Sequence, residues 1–399
     1  MSTVAARRTL HPLLAGLLAA VCLALAGCAT RPPPLPADRL LRDHLVAAPS
    51  QPVQTDQVFA VSEAMRAFMD QQIVARSSGR VRDVRQLLID ALYKPGQLQL
   101  DYDSSSTRNA AQAFEARTGN CLSLVIMTAA MARHLGVPVT FQNVVIDQAY
   151  QRVGSLVMVS GHVNLVLGRT LPPNSVMQRA DSVAMLVDFL PASEVVGART
   201  QRIEEHTVLA MFMNNRAAEV LAEGRATDAY WFAREAVRAD PTFIAGINTL
   251  GVVYRRLGLL QPAEEALRQV LEAQPDNAAT LGNLVGVLQA AGRTDEARPL
   301  AERLVALQPH APFHFFDLGR QALVEGRLED ARGLFERELS RLPHQPMVLA
   351  FLAQTHQRLG RSDRAARALA EAIEYSISIE QRGIYSAKLA ALRAAGARL

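Results

Sequence analysis

The 399-residue chain has few aromatic residues (5%, with a single tryptophan), only three cysteines and little net charge, formally +4. Few aromatics beside plentiful Ala, Leu and Arg favour helix over sheet. A balance so near neutrality, with no concentrated basic stripe, excludes a protein that lives on phosphate contacts, so no nucleic-acid partner is expected. The histidines are scattered and no thiol has a second one at ligand spacing, so no metal is expected. There is no glycine-rich phosphate loop, and no cofactor is expected. Hydrophobic residues at 49% and charged residues at 20% exclude a mostly disordered chain. The length predicts two or three domains.

The cysteines divide by position. Arg7 and Arg8 precede an almost wholly apolar stretch over 13–26, which ends in Leu25-Ala26-Gly27-Cys28. This is the layout of an export signal over 1–27, too short to span a bilayer comfortably. The four residues ending in Cys28 resemble a bacterial lipobox, which implies cleavage before Cys28 and diacylation of its thiol. Each buried methylene of such a chain adds about 0.8 kcal/mol of membrane affinity. Ala29, rather than Asp, follows the cysteine, which resembles lipoproteins sent to the outer membrane and facing the periplasm. Residues 28–55, with Arg31-Pro32-Pro33-Pro34-Leu35-Pro36, read as a stiff tether. Cys22 leaves with the leader and Cys28 is consumed by lipid, so Cys121 is the one free thiol in an oxidising compartment.

Residues 56–200 carry helical patterns over 62–76, 81–93 and 108–116, then an apolar helix over 121–135 that Gly136-Val137-Pro138 ends. Strand patterns follow over 139–146, 153–159, 162–167 and 183–189. Helices followed by an antiparallel sheet predict an α+β unit.

The second half is periodic. Pro241, Pro275, Pro309 and Pro343 stand 34 residues apart, as do Gly224, Gly258, Gly292, Gly326 and Gly360. Ala229, Ala263, Ala297, Ala331 and Ala365 keep the same spacing, and so do Leu250, Leu284, Leu318 and Leu352. The pattern resembles the tetratricopeptide repeat, a 34-residue pair of helices. Glycine closes the turn within a pair, alanine permits close approach and proline breaks the chain before the next pair. About five repeats over 210–379 and a capping helix over 380–399 make an all-α solenoid. The repeat frame places Asn248, Val252, Arg255, Gln289, Phe313, Phe316, Arg320 and Gln354 near a concave groove. An extended, partly apolar protein or peptide segment is the expected partner; the alternative is a docking surface for the N-terminal unit.

Cys121 follows Gly119-Asn120. Asn120 is a good N-cap, so Cys121 becomes the first residue of its helix, where free N–H groups and the macrodipole favour the thiolate. A nucleophile needs a base. His134 lies thirteen residues along the same helix, roughly 20 Å away at 1.5 Å per residue. His206 falls after the domain, and the other histidines lie in the leader, the tether or the repeats, which leaves His162, at the start of a strand on the same face as Asn164. Asp188, in an otherwise apolar strand, needs a partner there, and His162 is the natural one.

A cysteine opening a helix, then His162, then Asp188 resembles the transglutaminase-like (papain-related) cysteine enzymes over about residues 85–195. The resemblance implies an α+β papain-like fold, with Cys121 as nucleophile, His162 as general base and Asp188 as orienting acid. It also implies action on amide bonds, either hydrolysis (peptidase or amidase) or acyl transfer. The tryptophan that animal transglutaminases keep beside the thiol has no counterpart, since Trp231 lies in the repeats. The oxyanion donor is open among the Cys121 N–H, Asn143 and Asn164. Lipobox, transglutaminase-like unit and repeats together resemble a group of bacterial lipoproteins. The alternative reading is a scaffold lipoprotein with a vestigial triad.

Overall fold

In the computed structural model the described residues are 39–77, 83–94, 98, 100–103, 106–153, 156–168, 184–189, 197–376 and 378–396, with the backbone alone at 77, 146–149, 151–153, 156–160 and 395–396. All lie in one unit spanning Ala37–Leu399. Cys28 and the export signal fall outside the described residues. Among the described residues, no helix is long and apolar enough to cross a membrane.

The N-terminal part contains helices α1 (Glu63–Met69), α2 (Val84–Tyr93), α3 (Ala110–Ala116) and α4 (Cys121–His134). A π-helical turn, Asp70–Val74, continues α1. Strands β1 (Asp101–Tyr102) and β2 (Thr118–Gly119) form a short parallel pair. Strands β3 (Val139–Val153), β4 (Leu156–Leu167), β5 (Met185–Val187) and β6 (Arg199–Ile203) form an antiparallel sheet in the order β5-β4-β3-β6.

Three departures from the sequence reading concern this sheet. The expected strands over 153–159 and 162–167 are one strand, β4, which runs through Gly161. Its partner β3 extends to Val153, with a register shift between Val144 and Ala149. The expected strand over 183–189 shortens to Met185–Val187. β6 was not expected: Arg199-Thr200-Gln201-Arg202 is polar and exposed, with no alternation to betray a strand.

Helix α4 is buried from Cys121 to Ala132. Val125, Ile126 and Met127 share a core with Val163, Leu165 and Leu167 of β4, Phe141 of β3 and Met65, Met69 and Leu88 of the first two helices. Each large aliphatic side chain buried there contributes about 1.5–3 kcal/mol relative to exposure. A helix apolar all round is what such a central position requires.

Five antiparallel helix pairs follow: α5/α6 (Glu205–Ala222, Ala226–Ala239), α7/α8 (Ile244–Arg256, Leu260–Ala273), α9/α10 (Ala278–Ala290, Thr294–Leu307), α11/α12 (His314–Val324, Leu328–Arg341) and α13/α14 (Pro346–Arg358, Ser362–Glu374). A last helix, α15, spans Ile379–Gly396. The five periodic glycines have φ between +72° and +85°, the left-handed turn that ends the first helix of each pair without a Cβ clash. Val208, Phe212 and Met213 of α5 also join the core of the N-terminal part, so the two halves share apolar packing.

The array has a seam. One hydrophobic cluster runs through the first three pairs to Ala297, and another begins at Phe313. Leu318 is 41% exposed, whereas Leu250, Leu284 and Leu352 of the same periodic column are buried. Val305 and Leu307 are exposed on the other side of the seam. Pro309 and Pro312 flank it, and Phe313 enters α11 with φ +65° and no side-chain cap of its own. The buried carboxylate of Glu338 supplies that cap, accepting the N–H groups of Phe313, Phe315 and Phe316 at 3.1, 2.7 and 3.1 Å.

Residues 39–50, expected as part of a free tether, pack on the first two pairs. Leu40 is buried, and its carbonyl accepts the Tyr254 hydroxyl at 2.8 Å. Tyr230 donates to Asp43, which also pairs with Arg234. Trp231 donates its indole N–H to Ala47, and the Ser50 N–H and hydroxyl both donate to Asp228.

Candidate active site

Asn120 does what its position in the sequence requires. Its side chain accepts the Ser123 N–H, turning extended backbone into α4. Its amide nitrogen donates to the Thr107 hydroxyl at 2.9 Å. The Ser123 hydroxyl donates back to the Asn120 oxygen and accepts the Arg108 N–H at 2.8 Å. Cys121 therefore sits on a helix N-terminus whose free groups are tied on several sides. Gly119 is required here, because a Cβ would stand 2.7 Å from that of Ser123.

Sheet register brings the other two residues together. Leu165 pairs with Val187, so one step further Asp188 stands beside Asn164, and His162 is the next residue on that face of β4. His162 Nε2 lies 2.7 Å from Asp188 Oδ1, and Asn164 Nδ2 donates to Oδ2 at 2.8 Å. Both carboxylate oxygens are engaged. Asn164 spends its amide on Asp188 and is not an oxyanion donor. Asn143 pairs with Val163, so it lies on the opposite face of the sheet from His162. The Cys121 N–H is left as the candidate donor.

His162 is 3% exposed. Burial alone lowers its pKa, but the Asp188 carboxylate and the neighbouring Cys121 thiol outweigh it and push the value up to about 9. Its Nδ1 is buried without a partner at hydrogen-bonding distance among the described residues. The Cys121 side chain is nevertheless close enough to the ring to favour its protonated form. Cys121 itself is 9% exposed, against 0% for Val125 and Ile126 deeper along α4, so the thiol lies at the edge of the core.

Tyr93 was not anticipated. Partial shielding of its hydroxyl from water and the charge of Asp188 raise its pKa, although the residue as a whole is 38% exposed, and its ring packs on Phe189 at 5.9 Å. Among the described residues no group of three or more His, Cys, Asp or Glu side chains could hold a metal ion.

Residues 258–314 match the family model described as a tetratricopeptide repeat. The C-terminal region carries tetratricopeptide repeats. The chain resembles the solved structure of TTC0263, a thermophilic tetratricopeptide-repeat protein of Thermus thermophilus, at 19% identity over 45% of this chain and 98% of that one, with a TM-score of 0.28. It resembles YrrB, described as a tetratricopeptide-repeat protein with an unusual peptide-binding site, at 20% identity over 45% and 92%, with a TM-score of 0.24. It resembles MamA at 20% identity over 43% and 93%, with a TM-score of 0.25. No curated protein matches the sequence.

Within the tetratricopeptide repeats, the expected groove residues divide. Asn248 is tied by the Thr280 hydroxyl and the Asn283 amide. Arg255 lies across Gly286, where a Cβ would stand closer to its guanidinium than any contact allows. Phe313 and Phe316 are 1% exposed and belong to the core of the fourth repeat, not to an open groove. Tyr150, from the long β3 strand, packs against this cluster. Arg320 lies over the rings of Phe316 and Phe351.

Proposed function

We propose that the N-terminal part is a cysteine enzyme acting on amide bonds, with Cys121 as nucleophile, His162 as proton carrier and Asp188 as orienting acid. The tetratricopeptide repeats suit binding of a protein partner or substrate. The observation that carries the reading is the bracketing of His162. One ring nitrogen is held by Asp188, while the other is buried, unpaired and on a ring whose charge Cys121 favours. An unsatisfied buried polar atom costs about 1–3 kcal/mol, and a thiolate or departing amine facing Nδ1 removes that cost.

In this mechanism the Cys121 sulfur attacks the amide carbonyl carbon and a carbon–sulfur bond forms. The Cys121 N–H stabilises the oxyanion. The carbon–nitrogen bond breaks as His162 gives its proton to the leaving amine. Water, or an acceptor amine, then gives a proton to His162 and displaces the sulfur. Asn164 keeps Asp188 in place by donating to its second carboxylate oxygen. The likeness of residues 85–195 to the transglutaminase-like fold belongs to this proposal. So does anchoring at the bacterial outer membrane through lipid on Cys28, with the enzyme facing the periplasm.

The test is comparative mass spectrometry of periplasmic proteins from cells with the wild-type chain and with Cys121→Ala. New termini or isopeptide links that depend on Cys121 support the reading. Identical profiles from a stably folded variant refute it.

A further inference from the structure

Both ends of the repeat array reach the segment that caps the nucleophile's helix. From α5, in the first repeat, Glu219 Oε1 accepts the Thr107 N–H at 2.8 Å. Arg216, one turn earlier, pairs with the same carboxylate. The Thr107 hydroxyl accepts the Asn120 side-chain amide at 2.9 Å, and Asn120 caps the helix that Cys121 opens. From α15, at the other end, Arg382 donates to the Tyr102 carbonyl at 3.3 Å. Tyr102 is in β1, which pairs with Gly119 immediately before the cap, and the Asp103 N–H donates to the Gly119 carbonyl.

Glu219 is poorly explained as a residue of the array alone. Burial raises its pKa, and the groups that oppose this are Thr107 and Arg216. A carboxylate held partly out of water needs those partners, and Thr107 belongs to the enzyme part, 112 residues away in the chain. The connection to Cys121 runs through two hydrogen bonds, Glu219 to Thr107 and Thr107 to Asn120, and then the helix cap.

We propose that Glu219 is a positioning residue of the cysteine site: through Thr107 and Asn120 it fixes the start of α4, so that the array sets the reactivity of Cys121 as well as recruiting a partner. This rests on the reading of Cys121 as a nucleophile. Arg382 braces the same segment from β1. The array is then part of the catalytic framework.

The experiment follows alkylation of the full-length protein by iodoacetamide between pH 5 and 9, read at the Cys121 peptide by mass spectrometry so that Cys22 and Cys28 do not interfere. Wild-type Cys121 should react at pH 6 several-fold faster than an unstructured cysteine peptide. Glu219→Ala should lower that rate about 5–10-fold and displace its pH profile. Glu219→Gln, which keeps an oxygen for the Thr107 N–H, should restore most of it. Thr107→Val should have a similar effect to Glu219→Ala, and the double variant should lose little more than either. Circular dichroism melts of each variant separate this from unfolding. A reactive wild-type thiol whose rate and profile are unchanged in folded Glu219→Ala overturns the positioning role and leaves the proposed enzyme standing. A wild-type thiol no faster than the free peptide overturns both.

Discussion

His162 Nε2, on β4, and Oδ1 of Asp188, one residue past the end of β5, are 2.7 Å apart. The pair fixes which ring nitrogen is held and which, in the proposed mechanism, carries the proton. With Nε2 held by Asp188, only Nδ1 can exchange a proton with the thiol or a substrate.

Asp188→Asn keeps the shape of the contact and removes the charge that favours protonated His162. In catalytic triads the equivalent loss costs up to about 10⁴-fold in turnover. Turnover of any Cys121-dependent substrate should fall by at least 10²-fold, with a far smaller change in melting temperature. Turnover within a few-fold of wild type would remove Asp188 from the mechanism.

The raised His162 pKa also has a consequence for stability. A histidine whose folded pKa, about 9, exceeds the ordinary 6.5 stabilises the fold fully below pH 6.5, and this contribution is lost as pH rises through 9. Urea unfolding of the wild type should therefore show stability declining between pH 6.5 and 9. In Asp188→Asn that slope should flatten. A wild-type curve level across this range would contradict the assignment.

Leu40→Ala tests whether the segment before residue 50 is structural. Leu40 is buried against the first two repeats, beside the bond from the Tyr254 hydroxyl to its carbonyl. Truncating a buried leucine costs about 2–5 kcal/mol. Chemical denaturation should show a loss in this range; a change within 0.5 kcal/mol, the scale of ordinary surface substitutions, would mean that the segment is a free tether after all.

Glu338→Ala strips the cap from three N–H groups at the seam of the array. Each buried group left unsatisfied costs about 1–3 kcal/mol. The fourth and fifth repeats should lose protection in hydrogen exchange, whereas the first three should keep it. Uniform loss across all five would show that the seam is not a boundary of cooperativity.

Local patterns made much of this legible in the sequence. The 34-residue columns announce the helix pairs, and the glycine column coincides with the left-handed turns. Asn120 before an apolar run announces the start of α4, and alternation places His162 with Asn164. What stayed hidden depends on distance or on context. The strand pattern breaks at 160–161, yet β4 is continuous there, pairing with β3 at Ser160 and at His162 across a register shift. Phe316 occupies a groove position in the repeat frame, but it is buried among Phe313, Phe335 and Phe351. Thr107 and Glu219 lie in different periodic contexts, so nothing local marks them as partners. Leu40 follows a proline-rich stretch and carries no pattern of its own.

Catalysis at the proposed site requires the sulfur of Cys121 and the imidazole of His162 to act as one unit. The most direct measurement is the NMR titration of the His162 ring in the wild type and in Cys121→Ala. The wild-type ring should titrate near pH 9, and removal of the sulfur should lower that value measurably while the fold is kept. Identical titration in both proteins would contradict the account.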